Sequence, residues 1–239
     1  MAERTTLSKK ASNIRRMFDA IAPEYDKLNK LISFGLDSSW RKSAVRLVSE
    51  GKPRKILDLA AGTGDFSIAL SRAIPKAHIT AADLSENMLK VAERKIEEQG
   101  LSKISTVQCN ALNLPFEDNT FDSITCAFGV RNFSDLKKGL SEMCRTLRPG
   151  GMVVILELCE PHRRFSRTLY KFHAFGVIPI LGGIVGHNRR AYAYLPESIR
   201  RMTQREEMMK VMKDAGFERT SFRVFLPGVC AMYVAYKPY

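Results

Sequence analysis

The chain has 239 residues, 45% of them hydrophobic and 26% charged, with 15 glycines and 10 prolines; this excludes fibrous and disordered classes and predicts one globular domain over residues 1–239. A chain of this length buries a full core without staples, and its five cysteines (Cys109, Cys126, Cys144, Cys159, Cys230), odd in number and without C-x-x-C spacing, argue against a disulfide framework and a zinc site and for buried thiols in a reducing compartment. The net charge of +13 implies an anionic partner: nucleic acid, an anionic membrane surface or an acidic ligand.

The first twenty residues carry several charges and no apolar core of signal-peptide length, so no secretory signal is expected. Residues 1–50 read as a polar helical arm holding the single tryptophan, Trp40, with Phe18, Ile21 and Tyr25 on one helical face, as a lid would have. From residue 54 short apolar runs alternate with helical ones. Strands are expected over Lys55–Leu59, 78–82, 105–108, 123–128 and 152–156, and helices over 66–73, 87–99 and 135–147, the last two closed by Gly100 and by Pro149-Gly150-Gly151. Alternation of this kind gives right-handed crossovers and a parallel sheet covered on both faces. The pattern breaks over 160–205, where the longest apolar run, residues 172–185, is interrupted by His173, Pro179 and three glycines. That run is too short to span a bilayer, and a cytoplasmic protein is expected. A helix over 204–215, stopped by Gly216, and strands over 221–225 and Cys230–Tyr236 complete the chain. A closing antiparallel pair follows from the turn residues Pro227-Gly228.

The sharpest motif runs from Asp58 through Ala60, Gly62, Thr63 and Gly64 to Asp65, where the first strand turns into the first helix of the alternating region. Glycines there let backbone approach a ligand, and in an open α/β sheet the ligand crevice lies at that end of the strands. Asp83 ends the second strand, where a carboxylate can accept both hydroxyls of a ribose. A dinucleotide fingerprint starting at Gly62 wants Gly or Ala at position 67, and Ser67 stands there. With Asp58 first and the slots at Ala60, Gly62 and Gly64, the spacing is instead D-x-G-x-G-x-G. It points to a class I S-adenosylmethionine-dependent methyltransferase with a Rossmann-like, mostly parallel sheet, in which Asp58, Gly62 and Gly64 are expected to contact a phosphate-free nucleoside whose cationic amino-acid part suits an acidic group near the loop; a nicotinamide enzyme is the weaker alternative. Asn110-Ala111 ends the third strand, where an amide and a backbone N–H can hold adenine, although Asn also serves plain turns. Asp122 and the Leu147–Gly151 stretch read as structural.

Five stretches resemble a more specific group: Met17-Phe18-Asp19-Ala20-Ile21-Ala22 with Tyr25-Asp26; the loop from Asp58 to Asp65; Asn110-Ala111 with Leu114-Pro115-Phe116; Phe128-Gly129-Val130-Arg131-Asn132; and Tyr194-Leu195-Pro196-Glu197-Ser198-Ile199. Over essentially its whole length the chain is similar to the ubiquinone/menaquinone biosynthesis C-methyltransferases, which methylate a ring carbon of a polyprenylated quinol. The resemblance implies S-adenosylmethionine as cofactor, contacts from Thr63, Asp83 and the Asn110-Ala111 pair, and Ala127 where the family often has a serine. Demethylmenaquinol is the expected acceptor, with a benzoquinol of ubiquinone biosynthesis as alternative.

A quinol ring carbon attacks only when its ortho or para oxygen bears negative charge, so the site needs a base or a cation. Arg131, expected at the crevice mouth, is the candidate phenolate stabiliser, with Asn132 orienting the same oxygen; His173 and His187 are weaker candidates as bases. Between His162 and Arg205 the cations Arg163, Arg164, Arg167, Lys171, Arg189, Arg190, Arg200, Arg201 and Arg205 face one acid, Glu197. They bracket the apolar run, as a segment docked on the inner face of an anionic membrane would have them. A basic nucleic-acid methyltransferase is the rival from another class, but the chain carries no RNA-binding appendage, zinc module or base-amination motif, and no nucleic-acid partner is expected.

Overall fold

The computed structural model describes residues 9–33, 35–161 and 189–239. The apolar run 172–185, His173, His187, Arg163, Arg164, Arg167 and Lys171 lie outside the described residues, and so do the expectations placed on them. Helices α1 (Lys9–Ile21), α2 (Tyr25–Ser33) and α3 (Leu36–Glu50) form the arm. The alternating region follows as β1 (Lys55–Leu59), α4 (Asp65–Ala73), β2 (His78–Asp83), α5 (Glu86–Glu98), β3 (Ile104–Gln108), β4 (Phe121–Ala127), α6 (Leu136–Thr146) and β5 (Leu147–Leu158). Beyond it come α7 (Arg189–Arg201), α8 (Glu206–Asp214), β6 (Glu218–Phe225) and β7 (Cys230–Tyr236).

The strands form one seven-stranded sheet in the order β3-β2-β1-β4-β5-β7-β6. The first five are parallel, β7 runs antiparallel to β5, and β6 antiparallel to β7. Successive side chains of a strand point to opposite faces, and here both faces are covered. Ile56 packs with Trp40, Val48, Phe66 and Leu70 beneath α3 and α4, while Leu57 and Leu59 pack with Ile124, Leu140, Met143 and Met212 beneath α6 and α8. Covering on both sides is why these strands read as continuous apolar runs rather than alternating ones.

Several boundaries differ from expectation, β6 for instance beginning at Glu218 rather than 221, and two of them have a clear cause. β5 begins at Leu147, not 152, because Leu147 already pairs with Phe121; the register then shifts before Ser123 meets Met152, and the Pro-Gly-Gly residues form a bulge inside the strand rather than a turn before it. β4 stops at Ala127 because Phe128 turns into the left-handed region, with φ 59°. Asp122 is structural as expected: one carboxylate oxygen accepts the Arg54 and Lys55 N–H groups at 2.8 Å each, and the other accepts Arg148 Nη1 at 2.5 Å.

Candidate active site

The order of the sheet reverses between β1 and β4, and their C-terminal ends open a crevice there. The arm and the turn after β4 wall it into a cleft of about 790 Å³, part of it open to solvent. Its lining includes Gly62, Asp83, Asn110, Ala111 and Asn132 among the residues expected from sequence, with Phe18, Tyr25, Phe128 and Phe133 as aromatic walls.

The loop after β1 is held from several sides. Ala60, in the first glycine slot, adopts φ 56°, a left-handed conformation that costs a residue with a Cβ about 1–2 kcal/mol. Gly129 faces it across the cleft floor: a Cβ there would lie 2.4 Å from the Ala60 Cβ, so position 129 admits only glycine beside this alanine. Gly64 caps α4 with φ 82°, and a Cβ on it would meet the Ala92 Cβ on α5 at 2.9 Å. The third motif glycine therefore seats one helix on another and lies outside the cleft lining.

Asp83 ends β2 with both oxygens engaged: Oδ2 accepts the Gly62 N–H and Oδ1 the Ser85 N–H, each at 2.8 Å. Burial pushes its pKa up, and the amide bonds partly offset this. A carboxylate has about four acceptor sites, so capacity remains for ribose hydroxyls. Asn110 lines the cleft while its Oδ1 accepts the Leu112 N–H at 3.0 Å; the turn role and the wall role coincide in one residue.

Asp58 and Thr63 are placed otherwise than expected. Asp58 is 1% exposed and sits beneath the loop, accepting from Ser67 Oγ at 2.6 Å and Thr125 Oγ1 at 2.9 Å. Burial raises its pKa to about 6. The serine that argued against a dinucleotide fingerprint is thus the carboxylate's hydrogen-bond donor. Thr63 is buried too, and its hydroxyl donates to Asp26 Oδ1 at 2.5 Å. Neither lines the cleft; both brace the loop that does.

Arg131 corrects the sequence expectation most sharply. It does not stand at the crevice mouth. Its side chain is 6% exposed, its Nη1 donates to Glu157 Oε1 at 2.8 Å and to the Phe128 carbonyl, and its backbone N–H reaches Glu157 Oε2 at 3.1 Å. Burial opposes its charge most strongly, but the Glu157 carboxylate together with Tyr25 and Tyr194 outweighs this and the pKa rises. Glu157 interrupts the apolar strand Val153-Val154-Ile155-Leu156, and a lone acid in a run buried on both faces is a signal that it has a cationic partner. Asn132, the next residue, does line the cleft, and its Oδ1 accepts from Tyr194 on α7 at 3.1 Å.

The arm is fastened by carboxylates. Asp19 accepts from Ser85 Oγ at 2.5 Å; Asp26, besides Thr63, pairs with Lys95 at 2.9 Å, and the same ammonium reaches Asp65. On the far wall, Phe128 is held by Trp40 edge-on, with centroids 6.2 Å apart, and by Arg41 over its ring at 5.5 Å. All five cysteines are buried and free, and among the described residues no cluster of His, Cys, Asp or Glu is arranged to hold a metal ion.

Comparison with known proteins adds four findings. The model of the ubiE/COQ5 methyltransferase family matches residues 5–237. A demethylmenaquinone methyltransferase of Bacteroides fragilis is 43% identical over 230 residues, 96% of this chain and 94% of the relative. A protein of Geobacter sulfurreducens named ubiquinone/menaquinone biosynthesis C-methyltransferase UbiE is 39% identical over 97% of this chain and 91% of its own. Among solved structures, a SAM-dependent methyltransferase from Thermotoga maritima, described as a possible histamine N-methyltransferase, superposes with a TM-score of 0.66 over 93% of this chain and 99% of that one. At 19% identity it speaks for the fold alone.

Proposed function

The chain belongs to the ubiE/COQ5 methyltransferase family, and from that premise we propose that it transfers the methyl group of S-adenosylmethionine to a ring carbon of demethylmenaquinol, yielding menaquinol. The observation that carries this reading is the near full-length identity with demethylmenaquinone methyltransferases, joined to a cleft at the sheet's switch point that suits the cofactor. Asp83 is pinned by two amides with acceptor capacity to spare, and Gly129 lets the turn after β4 pack directly on Ala60 of the loop, where a Cβ would collide.

In this reading Asp83 accepts the ribose hydroxyls, Asn110 and Ala111 hold the adenine, and Gly62 brings backbone alongside. Asp58, Thr63 and Gly64 act indirectly, through Ser67, Asp26 and Ala92, by fixing the loop. When bound, S-adenosylmethionine supplies an electrophilic methyl carbon. The chain's own task is to hold the quinol carbon in line with it and to exclude water, which can contribute ~7–11 kcal/mol. Phe18, Tyr25, Phe128 and Phe133 offer the acceptor ring apolar faces. Asn132 supplies a polar contact for its oxygen, and the buried Arg131 supports the turn that carries Asn132. The acceptor carbon gains the methyl group and its proton is released to bulk water as the ring regains its aromaticity.

The Geobacter relative is named for both quinones, which favours a benzoquinol as second acceptor. We also propose that the chain works at an anionic membrane surface, where a polyprenyl tail resides; the nine cations between His162 and Arg205 support this. Among the described residues no helix is long and apolar enough to cross a membrane.

The test is methyl-labelled S-adenosylmethionine with the purified chain and each reduced quinone in vesicles. Label is expected in the naphthoquinone, one methylene heavier by mass spectrometry. Label in neither quinone, from a chain that still binds S-adenosylhomocysteine, would sink the reading.

A further inference from the structure

We infer that Tyr194 is a positioning residue for this methyl transfer: by donating its hydroxyl to Asn132 Oδ1 at 3.1 Å, it orients the Asn132 carboxamide with its NH2 toward the cleft, as the donor that meets the acceptor's phenolic oxygen. The inference rests on the quinol reading above and adds to it the group that sets the state of the ring oxygen.

Three observations carry it. First, Asn132 sits in the short 3-10 turn Val130–Asn132, and that turn is fixed to β5 by both the backbone N–H and the guanidinium of Arg131 on one buried carboxylate, Glu157. The backbone of position 132 therefore has little freedom, and only the side-chain torsions are left to set. Second, α7 packs directly on this turn, and its Tyr194 hydroxyl holds the amide oxygen, which leaves the amide nitrogen as the other end. Third, the cleft is walled by aromatic side chains, so a donor there faces little competition from water once the acceptor ring is seated against them.

The chemistry depends on which end of the amide faces the ring. An NH2 group only donates, and a donor at the phenolic oxygen favours the anion that makes the ring carbon nucleophilic. The reverse orientation would offer an acceptor, which favours the neutral phenol. Burial keeps Tyr194 protonated, with its pKa pushed up against the lowering effect of Arg131, so its O–H remains a donor at neutral pH. The charged and titratable groups around this pair are Arg131 on the turn, Glu157 on β5, Tyr25 on α2, and Glu197 and Arg201 on α7, the last two bonded to each other at 2.6 Å.

The test uses the full chain with both substrates saturating and measures kcat against pH. Tyr194→Phe is expected to lower kcat at neutral pH by about five- to tenfold and to move the acidic limb of the profile upward by roughly half to one pH unit, because the bound phenol ionises less readily. KM for the quinol and affinity for S-adenosylhomocysteine should stay within about twofold, since no ground-state contact is lost. Asn132→Asp keeps the oxygen that Tyr194 reaches but removes the NH2, and kcat should fall by about a hundredfold; this variant decides the matter if Tyr194→Phe does not fold. A Tyr194→Phe enzyme with an unmoved limb, whatever its kcat, would overturn the inference, as would an Asn132→Asp enzyme of normal kcat. Failure of the unaltered chain to methylate either quinol would instead overturn the quinol reading itself.

Discussion

Asp58 shows what one side chain contributes when the fold hides it. Its carboxyl is buried and held by two hydroxyls, Ser67 and Thr125, which only partly offset the desolvation that raises its pKa from 3.8 to about 6. An acid whose folded pKa is raised binds protons more tightly in the folded state between those two values. Its contribution therefore falls as pH rises through that window, is absent below the lower value and is fully unfavourable above the upper, by about 2–3 kcal/mol. Asp58→Asn should raise the urea midpoint at pH 7 relative to that at pH 4, compared with the same pair of measurements on the unaltered chain. Asp83, which shifts the same way, and Asp37 and Glu142, which shift down, remain in both proteins, so the comparison isolates Asp58. Arg131 makes the complementary case. Removing one partner of a buried ion pair leaves the other uncompensated, at a cost of about 3–5 kcal/mol, so Arg131→Ala should unfold in markedly less urea. Pairing Arg131→Met with Glu157→Gln should recover much of that loss. An arginine at the crevice mouth, as the sequence suggested, would leave the urea midpoint nearly unmoved. The motif carried the residue types at these positions but not their depth, because the partners that decide it, Thr125 for Asp58 and Glu157 for Arg131, lie 67 and 26 positions away.

Elements follow a similar division. The strands and helices between residues 55 and 158 were legible because each is a short, strongly patterned segment bounded by glycine, proline or a capping residue; Ser85 and Asp135 cap α5 and α6 by accepting the Met88 and Lys138 N–H groups. What local pattern did not carry was β5 beginning five residues early, since only the distant Phe121 makes Leu147 a strand residue. The arm was legible as an amphipathic helix with a candidate lid face, but not how it attaches. It attaches through acids: Asp19 to Ser85 and Asp26 to Thr63 and Lys95. Since Phe18 and Tyr25 line the cleft, loosening this attachment removes a wall. Asp26→Ala deletes the acceptor of Thr63 and one partner of a part-buried lysine, together worth about 1–2 kcal/mol. The expected result is faster proteolysis within residues 9–33 and S-adenosylhomocysteine affinity weaker by about three- to tenfold. Unchanged cleavage and affinity would make the arm a cover for the sheet edge and nothing more.

At the scale of the whole molecule the excess of 38 basic over 25 acidic residues is the feature on which the proposed membrane docking rests. In the proposed reading the acceptor's polyprenyl tail lies in lipid and the chain takes its ring at the bilayer surface, where cations near anionic headgroups contribute about 1 kcal/mol each. Part of that basic set is already engaged: Arg201 pairs with Glu197, and Arg205 donates to the Glu160 carbonyl at 2.7 Å. Electrostatic docking of the remainder is screened over a Debye length of about 10 Å at 0.1 M salt, whereas insertion of an apolar segment is not. Flotation separates the two contributions. With vesicles rich in anionic lipid the chain should float at low salt and be released in large part as salt rises towards 1 M, and it should stay in solution with zwitterionic vesicles throughout. Replacing Arg163, Arg164, Arg167 and Lys171 by glutamine should abolish flotation while leaving methylation of a short-tailed quinol in detergent unaffected, because none of these four is assigned to the cleft. Retained flotation in that variant would move the docking surface elsewhere on the basic chain; loss of detergent activity along with it would mean the segment shapes the cleft as well as the membrane contact.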